Sequence, residues 1–304
     1  MMKKICLMAV LVLTLALSAC GKGREAEPAV QATVAPSANP APVVIQAESS
    51  GRFATPCIEA PYDREYYGDD KQIVIRRFVQ SDIAYFVAGV QLTDASQFQT
   101  ALCGENLERL SAMAERSGAV LAINADDYKV HKYGTIIRNG ELLRTHDTTR
   151  NMLIVDANGV FTVLADCAGE KPEELSRQLM EIQTWQTFEF GLELVRDGQA
   201  VAFSLDFDLI STNPERREPR TAIGQIGPLH YVIIVADGRQ SGYSRGMTLP
   251  ELQRLFIGFV AQTAMNLDGG GSTELWFQGE VINRPSEGRE RRLSDIIFFW
   301  GGAT

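Results

Sequence analysis

Residues 266–274 read N-L-D-G-G-G-S-T-E and concentrate more reactive chemistry than any other stretch of the chain. Three successive glycines weaken a fold, because each loses more backbone freedom than another residue would, so something must approach this backbone closely. Gly269, Gly270 and Gly271 can turn N–H groups toward one anion, Ser272 and Thr273 add hydroxyl donors, and Asp268 brings a carboxylate to the same point. This is not a nucleotide P-loop, which needs Gly-x-x-x-x-Gly-Lys-Ser/Thr, since no lysine lies here. Other polar groups fall where strands should end: Asn124 with Asp126 and Asp127, Arg220, Asp237 with Arg239, and Glu290-Arg291 near the C-terminus. Each also has a structural use. Asp237-Gly238 can make a turn, Arg220 a structural ion pair, and Asn124 a bond to neighbouring backbone. His131, His146 and His230 lie in polar loops or just before a strand, and no catalytic part falls to them.

The elements that must position these groups follow from the pattern. Runs 71–80 and 84–92 are β-branched and aromatic, broken by Ser81-Asp82, and predict a hairpin. Leu107, Leu110 and Met113 at helical spacing, with Gly118 behind them, predict a helix over 104–117. It leads into the apolar strand 119–123, which delivers Asn124 at its C-terminal end, where α/β folds place sites. Asn139-Gly140 and Asn158-Gly159 mark two hairpins, 136–144 and 152–164. A helix over 172–182 and a strand pair over 188–200 about Asp197-Gly198 follow. Runs 220–224 and 231–236 read as adjacent central strands. Thr248-Leu249-Pro250-Glu251 is a capping box that opens a helix to about 262, feeding the strand before the glycine loop. The last strand is 295–300. Helices mixed with buried strands and hairpins predict a single α/β domain of the α+β type, with a mixed, largely antiparallel sheet and packed helices.

The chain opens M-M-K-K, runs apolar through 5–17 and reaches Leu17-Ser18-Ala19-Cys20. That is a secretory leader with small residues at its cleavage site, and it is too short for a spanning helix of about 20 residues. Leu-Ser-Ala-Cys resembles the bacterial lipobox, which implies that Cys20 becomes the lipidated first residue. The expected organisation is a lipoprotein signal peptide over 1–20, a flexible Ala/Pro/Val/Gln tether over 21–55 and a globular domain over 56–304, exported and anchored to the cell membrane. The formal charge of −9 becomes more negative once Lys3 and Lys4 leave with the leader, which argues against nucleic acid as the partner. Cys57, Cys103 and Cys167 remain. Two of them could pair, and the spacing chooses no pair and matches no zinc pattern.

The segments A-I-N-A-D-D-Y, Y-G-T-I-I-R-N-G-E, P-R-T-A-I-G, D-G-R, G-M-T-L-P-E-L, N-L-D-G-G-G-S-T and E-R-R-L-S-D, in this order, resemble the phosphodiester glycosidase family over about 119–299. The family includes the enzyme that uncovers mannose-6-phosphate by removing N-acetylglucosamine. Asn124-Ala125-Asp126-Asp127 stands where the family has Asn-Gly-Gly or Asn-Gly-Asp, and a Cβ at Ala125 resists positive φ. The resemblance implies hydrolysis of the bond between an anomeric carbon and an esterified phosphate. The leaving group is already a stabilised anion, so positive charge and N–H donors should carry most of the catalysis. It assigns phosphate or substrate binding to Asn124, Arg220, Gly269, Gly270, Gly271, Ser272, Thr273 and Arg291. Asp268 falls beside the oxocarbenium-like centre, with Asp237 or Asp127 positioning water or sugar. No cofactor is expected, and Asp126-Asp127 lacks the spacing of a Ca²⁺ loop, which leaves the metal question open. The expected substrate is a glycan or teichoic-acid-like envelope polymer. Two alternatives stay open: a non-catalytic glycan-binding lipoprotein, and a phosphodiesterase that cleaves P–O.

Overall fold

A computed structural model describes residues 63–301 except 149, 166, 168 and 204–212. The leader, Cys20, the tether and Cys57 lie outside the described residues.

Two antiparallel sheets carry the fold. One has eight strands in the order Asp63–Tyr67, Lys71–Gln80, Ile83–Leu92, His230–Ala236, Arg220–Gly227, Thr263–Asn266, Glu193–Arg196 and Gln199–Ala200. The other has five, in the order Glu280–Val281, Leu275–Phe277, Ala119–Asn124, Asp295–Trp300 and Phe98–Leu102. Period-two alternation sorts their side chains by face. Phe86, Ala88 and Val90, with Tyr231, Ile233 and Val235, pack against Leu121, Ile123, Leu275, Ile297 and Phe299 of the second sheet in one buried core.

The intervening residues face outward onto helices, which are labelled α1 (Leu110–Arg116), α2 (Pro172–Glu181) and α3 (Leu249–Gly258). Val87, Val232, Ile234 and Ala236 meet Leu249, Leu252 and Phe256 of α3. Ala122, Trp276, Ile296 and Phe298 meet Leu110, Met113 and Ala114 of α1. The central strands are therefore buried on both faces, which is why Ile83–Leu92 and His230–Ala236 read as continuous apolar runs. A three-stranded sheet of Phe161–Leu164, Met152–Asp156 and Thr184–Phe188 packs on α2 through Met152, Ile154, Leu175 and Leu179.

The α+β class holds, with the strands divided among several sheets and every ladder among the described residues antiparallel. The first hairpin, both turns at Asn139-Gly140 and Asp197-Gly198, and the capping box at Thr248 form as the residues dictate. Asn139 and Gly140 have φ of 50° and 79°, the mirror-image turn that Asn-Gly favours. The Thr248 hydroxyl accepts from the Glu251 amide, and the Glu251 carboxylate accepts from the Thr248 amide.

Three boundaries differ. Helix α1 begins only at Leu110, because Glu108–Arg109 pairs with Arg292–Leu293 instead. Helix α3 ends at Gly258 rather than near 262: Val260 takes φ 53°, and the Val260 and Ala261 amides close back on the Ile257 and Phe256 carbonyls. The 188–200 stretch contributes only the short pair about Asp197-Gly198, while Thr184–Phe188 is a separate strand bonded to Met152–Asp156. Cys103 is a buried free thiol, and Cys167 is buried with its Sγ 3.8 Å from the Leu164 carbonyl oxygen.

Candidate active site

The ends of both sheets meet at the glycine loop. Asn124 finishes its strand with a side chain only 1% exposed and ties the two sheets together. Its Nδ2 donates to the Asp268 carbonyl at 2.7 Å, and its Oδ1 accepts from Thr221 Oγ1 at 2.7 Å and from the Glu274 amide at 3.2 Å. An amide is required there, since the site asks for a donor and an acceptor at once. The Asp268 amide in turn donates to the Ala125 carbonyl at 3.3 Å. Ala125 itself causes no obstruction: its φ is not positive, and its Cβ sits in the inter-sheet core at 1% exposure. The left-handed residue of that segment is Asp127, with φ 55°.

The loop spends most of its amides on itself. Gly269 donates to Asp268 Oδ1 at 2.7 Å, Gly270 to the Pro219 carbonyl at 2.9 Å, Ser272 to the Gly269 carbonyl at 3.1 Å and Thr273 to the Gly270 carbonyl at 3.3 Å. A four-amide anion nest over Gly269–Ser272 is therefore not what these residues form, because the Gly269, Gly270 and Ser272 amides are already taken by Asp268 Oδ1, the Pro219 carbonyl and the Gly269 carbonyl. The glycines serve close approach instead. A Cβ on Gly269 would lie 2.7 Å from the Pro219 carbonyl oxygen, and Gly270 has φ 62° with the Arg239 guanidinium lying over it.

Cations flank the loop on both sides. Arg220 opposes Ala236 in its ladder, so its side chain leaves the sheet on the α3 face. There Nε donates to the Met247 carbonyl at 3.1 Å and Nη2 to the Arg216 carbonyl at 2.8 Å. Burial pushes the Arg220 pKa down to about 10, so it stays charged at neutral pH. Arg216 and Arg239 share one carboxylate, Glu218, each with Nε 2.5 Å from one of its oxygens. Three guanidinium groups thus surround a single negative charge on this flank. On the other, Arg291 lies across Gly271 and pairs with Glu287.

Acidic groups of perturbed titration sit inside this ring. Burial pushes the Asp268 carboxyl up to about 7, helped by the charge of Asp127 and opposed by the Ser272 hydroxyl, the Gly269 N–H and Arg291. Asp127 is half-buried, accepts from the Ser294 amide at 3.1 Å and donates its own amide to Asp295 Oδ1 at 3.1 Å. Burial likewise raises Glu274 to about 8 and Glu189 to about 7. Each uses one oxygen, Glu274 Oε1 for the Arg291 amide and Glu189 Oε1 for the Thr135 amide, both at 2.8 Å. Their Oε2 atoms, with Thr273 Oγ1 and Asn266 Oδ1, are buried without a hydrogen-bond partner in the protein. Orphaned polar atoms are scarce in native structures, and three of them, at Asn266, Thr273 and Glu274, fall within the one stretch 266–274.

Asp237 has a separate set of partners from Asp268. It is 1% exposed, and its oxygens accept from Asn283 Nδ2 at 2.9 Å, the Arg284 amide at 3.0 Å and the Tyr243 hydroxyl at 2.8 Å. Burial raises its pKa against those donors. Asn283 Nδ2 also donates to the Thr273 carbonyl at 3.1 Å, so Asp237 reaches the loop through Asn283.

Asp126 and Asp295 grip one buried arginine, Arg138, at 2.5 and 2.9 Å. Arg138 also stacks 4.6 Å from the Phe188 ring centroid. Burial works against Asp126, yet Arg138, His131 and the Glu189 amide outweigh it and hold its pKa low; Asp295 is raised by burial and by the charge of Asp126. The second oxygen of Asp126 accepts from the Glu189 amide at 2.9 Å, so the network anchors Glu189. Among the described residues no three His, Cys, Asp or Glu side chains group to hold a metal ion.

The residue reading missed Glu189, Glu274 and the part played by Arg239. Their signals are modest: an acid between two phenylalanines in F-E-F, an acid directly before the buried L-W-F, and an arginine held at φ 58°.

Comparison with known proteins bears on the fold and the family. The sequence profile of the phosphodiester glycosidase family matches residues 117–300. A prophage-derived uncharacterized protein of Bacillus subtilis, YomE, is 29% identical over 229 residues, 73% of this chain; the chain spans about one third (33%) of that relative's length. Among solved structures, the catalytic domain of zebrafish N-acetylglucosamine-1-phosphodiester alpha-N-acetylglucosaminidase, auto-inhibited by its pro-peptide, superposes with a TM-score of 0.60 at 17% identity, over 77% of this chain and 83% of that one. A hypothetical protein from Synechocystis gives 0.51 at 14% identity, over 79% and 64%. At such identities the structural likeness speaks for the fold, and the profile match over most of the chain speaks for descent: the chain belongs to the phosphodiester glycosidase family.

Proposed function

We propose that this protein hydrolyses the bond between the anomeric carbon of a sugar and a phosphate that is itself esterified. The observation that carries the reading is Asp268: a nearly buried carboxyl with a pKa of about 7, set in a loop flanked by arginines on both sides. A group that titrates near neutrality can exchange a proton at working pH, and a carboxylate beside a phosphate site suits an oxocarbenium-like centre. Arg239 and Arg216, half-exposed beside the loop, and the deeper charge of Arg220 supply the field that stabilises the departing phosphate monoester. Arg291 does the same from the far flank. Glu189 and Glu274, fully buried and raised to about 7 and about 8, lie behind the site and do not touch the sugar in this reading.

The leader-like N-terminus with Cys20 supports export and lipid anchoring, and with them an envelope glycan or teichoic-acid-like polymer as substrate. The test is release of free sugar from an N-acetylglucosamine-1-phosphodiester by the purified protein, set against Asp268→Asn. Full turnover by the variant would sink the assignment of Asp268. Saturable diester binding without product would support a glycan-binding lipoprotein instead.

A further inference from the structure

A basic cavity lies beside Asp237. About 430 Å³ in volume, it is lined by Arg77, Tyr243, Ile282, Asn283, Arg284 and Gly288. The Arg284 guanidinium sits 4.1 Å and that of Arg77 5.9 Å from the centroid of the Tyr243 ring. Neither Arg77 nor Arg284 forms an ion pair among the described residues; Arg77 hydrogen-bonds Tyr243 and feels the charge of Asp237. In a chain with 38 acidic residues against 29 basic ones, two guanidinium groups over one aromatic face make a local basic spot that suits an anion.

Asp237 acts on Arg77 through its charge without a direct ion pair. Its oxygens are taken by the Tyr243 hydroxyl, the Arg284 main-chain amide and Asn283, which fixes the ring and the 283–284 backbone in place. The floor is thereby preorganised, and the guanidinium groups of Arg77 and Arg284 edge it with donors for an anion.

We infer that this cavity binds a second phosphate of the ligand. Its size is that of a small-molecule pocket, larger than one oxyanion needs, and Ile282 and Phe86 supply apolar wall for the sugar or polyol attached to that phosphate. Asn283 bonds Asp237 on one side and the Thr273 carbonyl on the other, so the cavity wall is continuous with the glycine loop. Resting on the function proposed above, this narrows the substrate class to polymers or oligomers with repeated phosphodiester links.

The first test needs no turnover. Arginines of the full-length Asp268→Asn protein are modified with phenylglyoxal, with and without inorganic phosphate, and their rates are read peptide by peptide. Phosphate should slow modification of Arg77 and Arg284 at least about fivefold while exposed Arg289 and Arg292 react unchanged, and Arg284→Gln should remove the protection at Arg77. Equal rates at Arg77 and Arg284 with and without phosphate would overturn the inference. The second test compares kcat/KM for a substrate with two phosphates against one with a single phosphodiester. A preference of about tenfold should collapse toward unity in Arg77→Gln/Arg284→Gln, and an unchanged preference in that variant counts against the site. Protection in a protein that hydrolyses neither substrate would keep the anion site and discard the hydrolase reading.

Discussion

Replacing Asp268 with asparagine should make the protein more stable while it loses activity, and the gain should depend on pH in a defined direction. The carboxyl titrates at 3.8 when unperturbed and at about 7 in the folded protein, because burial penalises its charged form. A carboxyl raised by folding binds its proton more tightly in the native state, so its cost is absent below the unfolded pKa and grows as pH rises through 3.8 to about 7. A rise of that size corresponds to roughly 4 kcal/mol, and relaxation around the charge reduces what is realised to about 2–4 kcal/mol. Asparagine keeps an oxygen for the Gly269 amide and never ionises. Thermal unfolding of the two proteins should therefore coincide near pH 4, with the variant melting roughly 5–15 °C higher at pH 8. Other raised carboxyls, including Glu274 and Glu189, remain in both proteins and cancel in the difference. In the same variant kcat/KM should fall by roughly 10²–10⁴ if the carboxyl moves a proton in the reaction. Parallel melting curves at all pH values would refute the buried-charge argument. An unchanged rate would refute the catalytic one.

The remaining expectations concern what holds the site. Asn124→Ala should cost about 2–4 kcal/mol in urea unfolding, because the Asp268 carbonyl, Thr221 hydroxyl and Glu274 amide lose a buried partner together. Arg138→Met leaves Asp126 and Asp295 buried without their shared cation and should cost about 3–5 kcal/mol, with the loss smaller at acid pH, where Asp295 is protonated. Val260→Gly relieves a β-branched residue at φ 53° after α3 and should raise stability by roughly 0.5–1 kcal/mol, read as a higher melting temperature.

Much of the framework is written locally in the chain. The doubly apolar runs, the Asn-Gly and Asp-Gly turns and the Thr248 capping box each specify their element from a few adjacent residues, and the structure agrees at all of them. What escaped local reading is set by partners far away in sequence. Thr184–Phe188 is a strand because Met152–Asp156 offers its edge, and α1 starts late because Arg292–Leu293 captures Glu108–Arg109.

The site divides the same way. The glycine loop, Asn124 and Asp268 were legible because residue types at a strand end advertise them. The occupation of the loop amides by Pro219 and by the loop itself was not legible, nor was the capture of the Arg220 guanidinium by two carbonyls. The isolation of Glu189 and Glu274 depends on burial by distant elements, so no pattern of neighbours reports it.

Which bond breaks separates glycosidic from phosphodiester cleavage most directly. An N-acetylglucosamine-1-phosphodiester should be hydrolysed by the purified protein in ¹⁸O-labelled water and both products analysed by mass spectrometry. The account predicts one labelled oxygen at C1 of the released sugar and an unlabelled phosphate monoester, since water would attack the anomeric carbon. Label in the phosphate would instead assign the site to P–O cleavage, and a chain that binds the diester but releases neither product would contradict hydrolysis altogether.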